Sequence, residues 1–190
     1  MARIIKNLRE VILDKASNIL YNEGYSKLSI RRVAKECDIA VGTIYNYFPT
    51  KKDLVVEMMT NFWKEYFFDI GTILESQDEF YEKLRSIFNS LSKFIKRFKD
   101  VWLKSEIYST PDYIESGLKR ENIYIDKLIL IIEELLKEKL NNHIIYSNEA
   151  LEQLDTKKIA SFIVMNFITM VQMPQFQYEF FESILKKLLK

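Results

Sequence analysis

Along the first third of the chain, apolar positions recur at helical spacing rather than in alternation. Ile12, Ala16, Ile19 and Leu20 share one face of a segment running from Ile4 to Glu23, and Gly24 follows where a helix stops. Ile30, Val33, Ala34 and Cys37 then repeat at i, i+3, i+4 and i+7, behind Ser29, whose hydroxyl can cap a helix. Cys37-Asp38-Ile39 reads as a tight turn with a left-handed residue, a conformation that Asp tolerates better than most. A second short helix is predicted over 41–48, with Ile44 and Phe48 pointing inward. That leaves Gly42, Thr43, Asn46 and Tyr47 facing outward, and Val41 and Tyr45 at the margin. Thr50-Lys51-Lys52-Asp53 has the form of a capping box, from which a longer helix runs to about Ile70. Tyr25 and Leu28 close the small core.

The same periodicity continues to the end of the chain. Helices are predicted near 77–99, 100–109, 112–140, 155–173 and 177–190, with breaks at Gly71, Thr110-Pro111, 141–148 and Met173-Pro174. Gly117, near the start of the 112–140 helix, predicts a bend or a break there. Neither alternating strands nor hairpin dipeptides recur. The fold class is therefore all-α: a three-helix N-terminal domain over 1–55, joined by a shared helix to a larger helical domain over 56–190. The 155–173 helix is apolar nearly all round, and such a helix needs partners on more than one side. With the stripe on the last helix, it predicts an isologous contact between two chains through Phe167, Met170, Phe181, Ile184 and Leu188.

Helix, tight turn, helix, then a capped third helix is the layout that sets one helix in the major groove of DNA. Two local irregularities agree with it. Gly42 costs about 1 kcal/mol inside a helix relative to Ala. Lys51 and Lys52 stand in a first helical turn, where the macrodipole disfavours cations. A phosphate backbone brought close to both places accounts for both. The groove-facing helix lacks Arg, Lys and Gln. Asn46 is suited to adenine, Val41 and Thr43 to thymine methyl groups, and Arg31 to a guanine, which predicts an operator rich in A·T.

Charge sharpens this picture only when divided. The chain of 190 residues carries a formal net charge of +1. Residues 1–55 hold ten Lys and Arg against six Asp and Glu, so the excess positive charge lies on the motif, where a phosphate footprint requires it. Cys37 is the single cysteine and His143 the single histidine, so no disulfide framework, metal-ligand cluster or Cys/His constellation can be assembled. Adjacent acids such as Glu133-Glu134 read as a solvated helix face. No enzyme, cofactor or metal is expected. Ile159 to Tyr178 carries no charge, but Asn166, Gln172, Pro174, Gln175 and Gln177 make it a poor membrane span. The chain also shows no signal-peptide core, so a cytoplasmic location is expected.

The stretch from Leu28 to Leu54, LSIRRVAKECDIAVGTIYNYFPTKKDL, resembles the DNA-binding domain of the TetR family of bacterial transcriptional regulators. VGTIYNYFPTKKDL carries most of the resemblance. It implies that Ser29 and Arg31 open the first motif helix against DNA. It further implies that Val41, Gly42, Thr43, Tyr45 and Asn46 form the recognition surface, and that Tyr47 and Lys51 clamp phosphates. Three positions depart from the family pattern: Asp38 replaces a usual glycine, Ala40 a common capping serine, and Val41 a frequent lysine.

The resemblance implies a homodimer on an operator, and a small-molecule effector bound in the larger domain. Aromatic residues make up 14% of the chain. Trp63, Phe67, Phe98, Trp102, Tyr108, Tyr124, Phe162 and Met165 are the expected lining of an effector pocket, which points to an apolar or aromatic ligand. The expected function is a dimeric repressor released from its operator by that ligand. The alternative is a DNA-binding module without a small-molecule effector, controlled by a protein partner or acting architecturally.

Overall fold

The computed structural model describes residues 7–100, 111–142, 155–173 and 175–189, and the side chains of these except 111–121 and 142. Among the described residues the regular structure is entirely helical. The helices are α1 (Leu8–Glu23), α2 (Ile30–Glu36), α3 (Val41–Tyr45), α4 (Lys51–Glu75), α5 (Phe80–Phe98), α6 (Pro111–Asn142), α7 (Thr156–Gln172) and α8 (Tyr178–Leu188). A 3₁₀ turn, Tyr25–Lys27, links α1 to α2.

Contacts divide the chain into two compact units, Met1–Phe67 with Lys96–Ile114, and Phe68–Ile95 with Glu115–Lys190. In the first, α1 buries Ile12, Leu13, Ala16, Ile19 and Leu20 and ends at Gly24, whose φ of 86° only glycine adopts freely. Those side chains join Leu28, Ile30, Val33, Ala34, Cys37, Ile44, Phe48, Leu54, Val55 and Met58 in one core.

The second unit is built around the apolar faces of α5, α6, α7 and α8. Phe88 meets Phe167 edge-on with centroids 5.3 Å apart and stacks on Tyr178 at 4.8 Å. Arg85 donates to Glu179 at 3.0 Å and also pairs with the buried Glu182, which Lys186 reaches at 2.9 Å. Burial would push the Glu182 carboxyl up, but the two cations hold it below its ordinary range.

Two expected interruptions do not occur. α4 continues through Gly71 to Glu75, because one glycine costs only about 1 kcal/mol and the fully buried Ile70 beside it holds the helix in place. The stop comes at Ser76, whose Oγ donates to the Ile73 carbonyl at 2.9 Å. α6 likewise runs unbroken past Gly117. The helix expected over 100–109 falls on residues outside those described.

The outer surface of α7 and α8 also differs from expectation. Phe167, Met170 and Phe181 are buried within the second unit, Phe167 completely. Ile184 and Leu188 do face solvent, and Leu188 is 59% exposed. With them on the exposed side stand Phe162, Met165, Met173, Phe176 and Phe180. Apolar residues on every side of α7 concealed which of its sides faces inward.

Candidate nucleic-acid interface

The motif is assembled from short-range hydrogen bonds. Ser29 Oγ accepts the Arg32 N–H at 3.2 Å and starts α2. α2 ends in a Schellman closure, with the Asp38 N–H donating to the Lys35 carbonyl at 3.2 Å and the Ile39 N–H to the Ala34 carbonyl at 3.1 Å. Asp38 occupies the left-handed position of this closure, at φ 54°. Its short side chain is why the turn forms without the glycine expected there.

α3 starts without a side-chain cap, since Ala40 has no oxygen to offer. The Thr43 N–H instead bonds the Ala40 carbonyl at 2.9 Å. Ile44 is completely buried and Phe48 nearly so, and these two fix the roll of the helix. Gly42, Tyr45, Asn46 and Tyr47 are thereby exposed, and Val41 and Thr43 half-exposed. Beyond its chain neighbours and its own helix backbone, nothing lies within 4 Å of where a Gly42 Cβ would stand, so packing within the chain does not require glycine there.

At the head of α4 the predicted capping box is complete. The Thr50 N–H donates to Asp53 Oδ2 at 3.0 Å, and the Asp53 N–H to Thr50 Oγ1 at 3.1 Å. The Thr50 hydroxyl adds a bond to the same carboxylate oxygen at 2.7 Å. The Lys51 ammonium lies 3.7 Å from the centroid of the Tyr25 ring. Arg32 is engaged by Glu23 and Glu36, each at 3.1 Å, whereas Arg31 projects into solvent.

Sequence spacing gave no sign of Arg9. Its guanidinium forks onto the Glu57 carboxylate of α4, with Nε donating at 2.8 Å and Nη2 to the second oxygen. Nη1 reaches the Tyr47 carbonyl at 3.4 Å, and the group lies 4.8 Å above the Phe48 ring. One side chain of α1 thus holds both the end of α3 and the first turns of α4. The Arg9 hydrogen bond keeps the Glu57 carboxyl below its ordinary range. Cys37 is buried, and burial pushes its thiol up, away from the reactive thiolate.

Three of the residues expected around an effector meet in the first unit. Trp63 stacks on Phe67 at 6.4 Å and approaches Phe98 at 6.3 Å, all within the first unit. Burial raises the neighbouring Tyr66 phenol well above its ordinary range. Trp102 and Tyr108 lie outside the described residues. Tyr124 belongs to the second unit and is half-buried. Phe162 and Met165 are 50% and 53% exposed on the outer side of α7, because Ile163, Val164 and Phe167 take the inner side. The second unit also holds a cleft of about 330 Å³ lined by Leu74, Lys127, Leu130, Ile131, Glu134, Leu135 and Glu138, none of them an expected pocket residue. Among the described residues no cluster of His, Cys, Asp and Glu could hold a metal, and no helix is long and apolar enough to cross a membrane.

Residues 12–58 match the family model of bacterial regulatory proteins of the tetR family. The HTH-type transcriptional regulator YuxN of Bacillus subtilis is 31% identical over 74 residues, which are 39% of this chain and 25% of that protein. The HTH-type transcriptional repressor KstR of Rhodococcus jostii is 41% identical over 54 residues, 28% of this chain and 26% of its own length. The chain thus spans about a quarter of the length of these relatives. A transcriptional regulator from Cytophaga hutchinsonii has a similar fold, with a TM-score of 0.70 at 16% identity over 97% of this chain and 95% of that one.

Proposed function

We propose that the chain is a dimeric repressor of the TetR type, released from its operator by a small apolar or aromatic effector, a reading supported by the match of residues 12–58 to the model of that family. The observation that carries the DNA-binding part is the pairing of two closures, the left-handed Asp38 turn and the Thr50–Asp53 box. Between them they leave α3 anchored by Ile44 and Phe48 with its polar side outward.

On DNA, α3 enters the major groove with Val41, Gly42, Thr43, Tyr45 and Asn46 toward the bases. Ser29 and Arg31 approach from the start of α2, and Tyr47 and Lys51 hold phosphates on either side. Asn46 is the amide that can pair bidentately with adenine, and the methyl groups of Val41 and Thr43 suit thymine. Two copies would set their α3 helices in successive major grooves, roughly 34 Å apart.

A second copy would pair through the solvent-facing side of α7 and α8, where Phe180, Ile184 and Leu188 are joined by Phe162 and Met165. Exposed large apolar residues gathered on two adjacent helices favour this reading. The effector would be recognised by aromatic surface such as that of Trp63, Phe67 and Phe98, and would act by binding the DNA-free state more tightly. α4 is common to both units and is the element through which such a preference would reach the motif.

The test is titration of the protein against its own upstream intergenic DNA at two salt concentrations, beside a Lys51→Ala, Tyr47→Phe variant. Tight, salt-sensitive binding that the variant loses is the expected result. Binding no stronger than to random duplex would defeat the proposal for that DNA, and operator selection returning GC-rich half-sites would defeat the assignment of Asn46, Val41 and Thr43.

A further inference from the structure

Lys51 is in an unfavourable place for a cation. It is the first residue of a 25-residue helix, whose N-terminus carries partial positive charge. The acid closest in sequence is turned to the helix cap, where the Asp53 carboxylate accepts from the Thr50 N–H and hydroxyl. What meets the ammonium is an aromatic face, with Nζ 3.7 Å from the Tyr25 ring centroid. The ring is itself held in place. Tyr25 opens the 3₁₀ turn, its carbonyl accepts the Leu28 N–H at 3.1 Å, and its side chain packs against the core of the motif.

We propose that Tyr25 is a positioning residue for DNA binding, acting through Lys51. A free lysine loses several rotatable bonds' worth of freedom when it grips a phosphate. The Tyr25 ring removes much of that loss in advance by fixing the ammonium beside the first turn of α4, where the Lys51 backbone N–H has no partner within the helix. The ring quadrupole holds the cation from one side and offers no anion, so the remaining ammonium protons stay available to a phosphate oxygen. A carboxylate in the place of Tyr25 would hold the lysine equally well and then compete with the DNA for it.

This inference rests on the reading of the protein as a DNA binder. Its test is a double-mutant cycle on a mixed-sequence duplex between about 50 and about 200 mM salt. The proteins are wild type, Tyr25→Phe, Tyr25→Leu, Lys51→Gln and the Tyr25→Leu, Lys51→Gln double variant. Tyr25→Phe keeps the ring and should bind as wild type. Tyr25→Leu should bind roughly two- to fivefold more weakly for each protomer. In the Lys51→Gln background the same change should cost nothing further. A Tyr25→Leu loss that persists undiminished in that background would mean a general packing role and would overturn the proposal, as would wild-type affinity in Tyr25→Leu. Absence of salt-dependent binding by wild type itself would instead remove the DNA reading beneath it.

Thermal midpoints of all five proteins separate a binding change from partial unfolding. Should Tyr25→Leu fail to fold, the contact is still read in the free wild-type protein. The Lys51 ε-methylene protons should lie upfield of those of the other lysines, through the ring current. An unshifted signal would overturn the proposal.

Discussion

Arg9 and Glu57 stand 48 positions apart in the chain and form a forked ion pair that ties α1 to α4. Because Arg9 also reaches the Tyr47 carbonyl, the pair braces the segment between α3 and α4. Both side chains are partly solvated, so the pair is worth about 0.5–1 kcal/mol rather than the larger value of a buried bridge. Glu57→Gln should lower stability by that amount in thermal melts at neutral pH. The Glu57 carboxyl is depressed in the folded state, chiefly by the Arg9 hydrogen bond. Its contribution is therefore full above the ordinary glutamate range and fades as pH falls through the lowered folded value. Melts of wild type and Glu57→Gln should converge only in acid, and a constant difference down to low pH would contradict this.

Gly42→Ala should stabilise the protein by up to about 1 kcal/mol, since a methyl group there meets nothing within 4 Å and the helix gains propensity. The same change should weaken operator binding, because the added carbon would occupy the space between α3 and the groove. Chemical denaturation and a binding titration on one preparation decide it. A variant that is more stable and binds equally well would show that Gly42 does not touch DNA.

Asp38 is left-handed without being glycine. Asp38→Gly should be neutral or stabilising by less than about 1 kcal/mol, relief of the backbone strain being partly offset by a freer unfolded chain. Asp38→Val should destabilise by at least about 1 kcal/mol, because a β-branched side chain tolerates that conformation poorly. Equal stabilities for the two variants, measured by urea denaturation, would mean that the turn had rearranged.

Phe167 and Leu188 separate the core from the proposed interface. Phe167→Ala should lose about 3–5 kcal/mol, as expected of a fully buried ring. Leu188→Glu should leave the isolated fold within about 0.5 kcal/mol while shifting the protein toward monomer in sedimentation equilibrium. A Leu188→Glu protein that stays dimeric would move the proposed contact elsewhere.

Thr50→Ala removes the oxygen that caps Asp53, at a cost of about 1 kcal/mol. Hydrogen exchange should show faster opening confined to the first turn of α4. Faster exchange along the whole helix would mean that the box anchors far more than its own turn.

The features legible in the sequence are those whose partners lie within a few residues. Ser29 with Arg32, Asp38 with its α2 carbonyls, and Thr50 with Asp53 are local bonds, and residue type and spacing determine them. Arg9 was illegible because nothing near it in the chain names Glu57 as its partner. Gly71 misled because propensity sets only a small cost, which the buried neighbour Ile70 outweighs. On α7 apolar residues fall on every side of the helix, so periodicity singles out no one inward face. Only the packed neighbours show that Phe167 faces in and Phe162 faces out.

Every fully buried member of the motif core lies between Ile12 and Met58, the same two residues that bound the family match. Burial and inherited likeness therefore share their bounds, with Leu8, Val11 and Phe98 packing on from outside. Under the proposed function, a motif whose buried side chains all come from one short stretch would keep its operator while the remaining helices exchanged one signal for another.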